Sequence, residues 1–212
     1  MAKHSRGKTA GIILAAGASA RMGGPKQLLD LGGVNLLDHI LKESLNSQLD
    51  FVVLVLGCHS KKVRKELKAD IQNPRLIVVE NRGWQAGISS SIARGVREVQ
   101  DRCDHCMIIL ADMPYTSAGI INDLLEQYLA SGLQLGAIQV DNRRSLPAIF
   151  SRELFKELQL LEGDTGARDL FMKYSGDECL VSADGDFHDL DIDTPEDYQT
   201  FMRSLGSNEF IT

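Results

Sequence analysis

A chain of 212 residues, 43% hydrophobic and 25% charged, can bury a sizeable core and reads as one domain over 1–212, with residues 1–8 expected to be flexible. Its net charge of −6 excludes a general nucleic-acid binder, so any polyanionic ligand must be held by locally concentrated cations. No apolar stretch approaches the ~18 residues of a membrane span. The polar start MAKHSRGKTA lacks a signal peptide's apolar centre, and the four cysteines need no oxidising compartment, which leaves the cytoplasm as the expected location.

Four continuous apolar runs of strand length follow: AGIILAA (10–16), FVVLVLG (51–57), RLIVVE (75–80) and CMIILAD (106–112). Runs without alternation suit strands covered on both faces, as in a parallel sheet. Between them lie helix-length segments at 36–47, 61–69, 88–100 and 118–132. In the last of these, Ile120, Leu124, Leu125 and Leu129 share one face. The alternation predicts a three-layer α/β/α domain around a mostly parallel, Rossmann-like sheet. Beyond residue 133, LGAIQV (135–140) and LPAIF (146–150) read as strands joined by the polar tip DNRRS. Helices are expected from Arg152, from about Thr165 and after Thr194. Thr194 can cap the last helix, with Pro195 first inside it and Asp197 completing a capping box.

Ligands of parallel sheets bind beyond the carboxyl ends of the strands. The loop after the first strand, LAAGASARMGGPKQLL (14–29), has neither the Gly-Lys-Ser/Thr ending of a Walker A nor a G-x-G-x-x-G, so a dinucleotide fingerprint is missing. It joins Gly17, Gly23 and Gly24 to two cations, Arg21 and Lys26, a composition suited to a backbone anion nest. Asp112, directly after the fourth strand, is placed either to hold Mg²⁺, which takes few protein carboxylates beside substrate phosphates, or to cap the next helix. In DLDIDTPED, Asp189, Asp191 and Asp193 would point to one side of an extended segment, although Asp189 reads equally well as part of a solvated turn. Cys103 and Cys106 form a lone C-x-x-C around His105 with no second pair at zinc spacing, so they read as a loop entering a strand. The five histidines are scattered and receive no role.

The stretches LAAGASARMGGPKQLL, NRGWQAGISSSIARGV, LADMP and DIDTPED, in that order, resemble the nucleotidyltransferases that join a nucleoside monophosphate to a phosphorylated acceptor. LFKELQLLEGDTGARDLF resembles the molybdenum-cofactor members, particularly the molybdopterin cytidylyltransferase type. The resemblance implies a sheet of the nucleotide-diphospho-sugar transferase type and transfer of CMP from CTP to the terminal phosphate of molybdopterin, releasing pyrophosphate. It implies that Leu14, Ala15, Ala16, Gly17, Ser19 and Gly23 wrap the nucleotide with Gly87 and Ser91, and that Arg21 and Lys26 meet the triphosphate. Asp112 with Asp193 or Asp191 would hold Mg²⁺ or Mn²⁺. Arg143 and Arg144 offer planar forks to a phosphate or pterin acceptor, or else are solvated residues of a hairpin tip. Where these members tend to carry Gly-His-Pro, this chain has Ser145-Leu146-Pro147. Guanylyl-transferring relatives usually show glycine where Ala16 stands, which favours CTP over GTP. The alternatives are a sugar or alcohol phosphate as acceptor, GTP as donor, or a non-catalytic molybdenum-cofactor carrier. A nicotinamide oxidoreductase is disfavoured by the missing fingerprint. A molybdenum hydroxylase is the expected recipient of the product, and a monomer or weak dimer the expected state.

Overall fold

Strands β1 (Thr9–Ala15) and β2 (Phe51–Leu56) are buried along their whole length, as their unbroken apolar sequences require. The computed structural model describes residues 6–183 and 187–207. β1 lies between β2 and β4 (His105–Leu110), with β3 (Leu76–Glu80) on the far side of β2, all four parallel. β5 (Leu135–Val140), β6 (Arg143–Ser151) and β7 (Cys179–Ser182) complete a seven-stranded sheet of order β3-β2-β1-β4-β6-β5-β7. Among the described strands β6 alone runs against its neighbours, so the sheet is mostly parallel.

Two apolar clusters cover the two faces, and alternate residues of β1 feed them: Ile13 and Ala15 enter one, Ala10, Ile12 and Leu14 the other. The first is closed by α1 (Leu36–Asn46), α4 (Ala118–Ser131) and α7 (Pro195–Ser207), and by Val63 of α2 (Ser60–Glu66). The second is closed by α3 (Ile88–Val99), α5 (Phe155–Gln159) and α6 (Arg168–Lys173). Three layers result, as the alternation predicts. On α4, Ile120, Leu124 and Leu125 are buried and Leu129 packs partly buried against the same cluster.

The capping box forms as read. Thr194 Oγ1 accepts from Asp197 N at 3.2 Å, and the Asp197 carboxylate accepts from Thr194 N at 2.8 Å. Other boundaries differ. The helix expected over 61–69 stops at Glu66 because the buried Asp38 carboxylate captures the next backbone groups, Lys68 N at 3.0 Å and Ala69 N at 2.8 Å. The helix expected from Thr165 begins at Arg168. β7 was not expected; four residues are too few for periodicity to register. The tip DNRRS is a correction: the chain turns on Asp141 (φ 48) and Asn142 (φ 60) alone, a two-residue hairpin turn. Arg143 and Arg144 therefore belong to β6, paired with Val140 and Gln139. Of the segment expected to be flexible, 1–5 lie outside the described residues. Arg6 Nη1 donates to Gln48 Oε1 at 3.0 Å and Lys8 N to Asp104 Oδ2 at 2.9 Å.

Candidate active site

The glycine-rich loop is shaped by its neighbours. Gln27, 2% exposed, donates from Nε2 to Ala15 O at 3.0 Å and to Gly17 O at 3.5 Å, tying the loop from beneath. Ser19 adopts a left-handed conformation (φ 54), and its hydroxyl accepts from Lys26 N at 3.1 Å, closing the loop on itself. The loop after β2 buttresses it from the side: Cys58 N donates to Ala16 O at 3.1 Å, and the His59 ring to Ala18 O at 3.0 Å. Gly57 makes this approach possible, since a Cβ there would lie 2.5 Å from Ala16 O. Ala16 is 5% exposed, with its methyl against Gly57. On the other side, a Cβ at Gly17, Gly23 or Gly24 would meet no heavy atom within 4 Å, so the loop borders open space.

Asp112 enters from the end of β4, and Ile192 N donates to its carbonyl at 2.9 Å, which draws 191–193 alongside. Lys26 Nζ is thereby placed between two carboxylates, touching Asp112 Oδ2 and lying 2.6 Å from Asp193 Oδ1. Arg21 reaches Asp193 Oδ2 at 2.7 Å. Burial opposes the charge on Lys26, but the Asp112 and Asp193 carboxylates outweigh it and raise its pKa. The Lys26 hydrogen bond holds Asp193 below the usual carboxylate range against partial burial. The surrounding protein, then the charge of Asp112, push the Asp191 carboxyl up to about 7. Asp189 pairs with Arg143 at 3.3 Å, and its charge, after those of Asp112 and Asp193, still bears on Asp191.

Among the described residues nothing hydrogen-bonds to the buried Asp112 Oδ1, which fits a metal ligand. The described residues contain no group of three or more His, Cys, Asp or Glu arranged to hold a metal, but Mg²⁺ needs only one or two carboxylates when phosphates supply the rest. Asp112 with Asp193 is such a pair.

The amino end of α3 lies at the same edge. Gly87 (φ 93) packs so closely on the 162–166 loop that a Cβ would lie 2.4 Å from Gly163 O. Ile88 N donates to Asp164 Oδ1 at 3.1 Å and Ser89 N to Gly163 O at 3.2 Å. Ser91 is 4% exposed, and its hydroxyl accepts from Asn81 Nδ2 at 3.0 Å. Asn81 also donates to Ser90 Oγ at 2.8 Å. Asn81 and Gln27 were missed by sequence reasoning; nothing in a single amide within a motif distinguishes one that is buried beneath a loop.

Arg143 and Arg144 are not a matched pair of open forks. Arg144 binds Glu178 at 2.5 and 3.1 Å and Ser175 at 3.2 Å, fixing the α6–β7 connection, while Arg143 remains 66% exposed beside Asp189. Cys103 and Cys106 are buried free thiols whose pKa burial raises, to about 11 for Cys103, in keeping with a loop entering a strand. A depression lined by Lys8, Asp50, Phe51, Asp101 and Arg102 lies at the amino ends of the strands, away from all this chemistry. Among the described residues no helix is long and apolar enough to cross a membrane.

A cation-bearing glycine loop and a carboxylate pair at the carboxyl ends of a mostly parallel sheet define an α/β nucleotidyltransferase. Residues 11–179 match the family model described as the MobA-like NTP transferase domain. The chain belongs to that family. It is 32% identical over 206 residues to the purine catabolism protein PucB of Bacillus subtilis, covering 92% of this chain and 97% of that one. It is 28% identical over 193 residues to the nicotine blue oxidoreductase of Paenarthrobacter nicotinovorans (88% and 92% covered). It is also 28% identical over 196 residues to the molybdenum cofactor cytidylyltransferase of Escherichia coli (89% and 93% covered). The solved structure of Rv0371c from Mycobacterium tuberculosis in complex with manganese superimposes with a TM-score of 0.77 at 26% identity, over 93% of this chain and 99% of that one.

Proposed function

We propose that the protein transfers CMP from CTP to the terminal phosphate of a molybdopterin-type acceptor and releases pyrophosphate. The observation that carries the reading is the Asp112–Asp193 pair, with its buried unpartnered Asp112 Oδ1, set against Lys26 and the open side of the glycine loop. Backbone N–H groups of 15–24 hold the nucleotide, and Arg21 and Lys26 neutralise charge on the triphosphate. Mg²⁺ or Mn²⁺ held by Asp112 and Asp193, with Asp191 beside them, supplies further neutralisation of the reacting phosphates when bound. An acceptor phosphate oxygen forms the new bond to the α-phosphorus as the bond to the β-phosphate oxygen breaks. The acceptor oxygen is already anionic, so positioning and charge neutralisation suffice and no strong base is needed. The product would pass to a molybdenum hydroxylase in the cytoplasm.

Pyrophosphate release from each of the four nucleoside triphosphates, with and without molybdopterin, tests the reading. CTP with molybdopterin is expected to give the fastest release. Release with a sugar or alcohol phosphate instead would keep the chemistry and change the acceptor. Cofactor binding without release would make the protein a carrier, and tight NAD(P) binding would make it an oxidoreductase.

The preference for CTP is assigned to Ala16. With its methyl turned against Gly57, Ala16 acts on the base through the spacing of the two loops rather than by direct contact. One methyl group in contact with a substrate is worth at most ~1–3 kcal/mol of discrimination, so Ala16→Gly, acting at one remove, is expected to move the CTP/GTP ratio of kcat/KM no more than about tenfold towards GTP. Equal use of both nucleotides by the natural protein would refute the assignment.

On the acceptor side, Arg143 is the better candidate because its fork is exposed, whereas Arg144 is committed to Glu178. Arg143→Ala is expected to weaken molybdopterin binding with CTP binding unchanged. Arg144→Ala is expected to lower the melting temperature as well, since it leaves the Glu178 side chain, 6% exposed, without its partner. Unchanged molybdopterin affinity in both variants would clear the arginines of an acceptor role.

A further inference from the structure

We propose that Lys26 is a built-in counter-cation of the Asp112–Asp193 pair, which closes the pair to a bare divalent ion and releases it to a metal–triphosphate complex. The inference rests on the reading of those two residues as the metal-holding pair. Three of their four carboxylate oxygens already face a cation: Asp112 Oδ2 meets Lys26, Asp193 Oδ1 lies 2.6 Å from the same ammonium, and Asp193 Oδ2 lies 2.7 Å from Arg21. Among the described residues nothing hydrogen-bonds to the fourth, Asp112 Oδ1, and it is buried. A cation shared by the two aspartates through Asp112 Oδ2 and Asp193 Oδ1 would have to displace the Lys26 ammonium, because Mg²⁺ needs oxygens at ~2.1 Å and an ammonium in hydrogen-bond contact blocks that approach; Asp112 Oδ1 by itself offers one ligand and no shared site.

Displacing Lys26 has a cost that depends on what else is present. Its side chain is 15% exposed, as is nearly true of Asp112 at 16%, so water does little to solvate an ammonium that loses both carboxylates. A triphosphate on the open side of Gly17, Gly23 and Gly24 removes that cost by giving the ammonium a new anion within its own loop. Arg21, 68% exposed, can exchange Asp193 for the same anion. Metal and nucleotide therefore bind with positive coupling, and linkage makes the coupling equal in both directions. An ion arriving alone gains the carboxylates only by stranding Lys26. An ion arriving with the nucleotide exchanges places with it.

Mn²⁺ binding followed by electron paramagnetic resonance, with and without α,β-methylene-CTP, tests this without turnover. The natural protein is expected to bind Mn²⁺ weakly, and the analogue to tighten that binding within the ~5- to 150-fold range usual for coupled sites. Lys26→Met, similar in length and uncharged, is expected to bind Mn²⁺ alone at least about fivefold more tightly than the natural protein and to lose most of the coupling. Lys26→Arg, which keeps the charge, is expected to stay weak, and Lys26→Gln provides the same comparison should the Met variant fold poorly. Equal Mn²⁺ affinity in the natural and Lys26→Met proteins, abolished in both by Asp112→Asn, would overturn the counter-cation and leave the carboxylate pair standing. Equal tightening in Lys26→Arg and Lys26→Met would overturn it too, since charge would not be the cause. Mn²⁺ binding that ignores Asp112→Asn, or no binding even with the analogue, would overturn the pair and this inference together.

Discussion

Asp112→Asn is expected to lower turnover of the nucleoside triphosphate by ~10²–10³-fold, the scale on which one preorganised charge acts in a transition state. The change keeps shape and removes charge. The bond from Ile192 N to the Asp112 carbonyl does not involve the side chain, so 191–193 should stay in place and the fold should survive. Divalent-ion affinity in the presence of nucleotide should fall together with rate. Asp193→Asn is expected to act likewise, since its carboxylate shares Lys26 with Asp112. Asp189→Asn is expected to be near neutral, because its partner is Arg143. Pyrophosphate release measured across a Mg²⁺ titration separates these cases, and normal turnover of Asp112→Asn in dilute Mg²⁺ would remove the metal reading.

Lys26→Ala is expected to reduce turnover by a similar ~10²–10³-fold with little loss of thermal stability. Its backbone N–H still reaches Ser19 Oγ, so the loop keeps its closure. The diagnostic feature is a pair of opposite signs: the rate falls while affinity for a metal ion alone rises. A residue that merely supported the loop would weaken both. Near-normal turnover of Lys26→Ala would exclude it from the reacting charges.

The parallel half of the sheet was legible because burial on both faces writes itself into sequence as unbroken apolar runs, and β1 is buried at every position. The Thr194–Asp197 box was legible because both its partners lie within one helical turn. The hairpin was misplaced because Asp141-Asn142 lacks the glycine that usually marks a two-residue turn, so the arginines after it read as loop. The site divides in the same way. Arg21, Lys26 and Asp112 stood out from local composition. That one ammonium would bridge Asp112 and Asp193, the latter 167 positions along the chain from Lys26, depends on tertiary closure and has no local signal. Gln27 is similar: in KQLL it reads as one more polar residue, and only the fold turns its amide under the carbonyls of Ala15 and Gly17.

The contact between Ala16 and Gly57 gives the two positions unequal freedom to drift. At 57 the obstacle is a main-chain oxygen, 2.5 Å from where a Cβ would stand, so no change of side chain at 16 relieves it. At 16 the methyl lies against the bare glycine opposite, and trimming it lets the two loops close up while keeping the bond from Cys58 N to Ala16 O. A lineage descending from this protein can therefore exchange alanine and glycine at 16 without a prior compensating change, while 57 stays locked. Should Ala16 set base preference as proposed, that preference is adjustable by a single codon, on a joint whose other side must remain glycine.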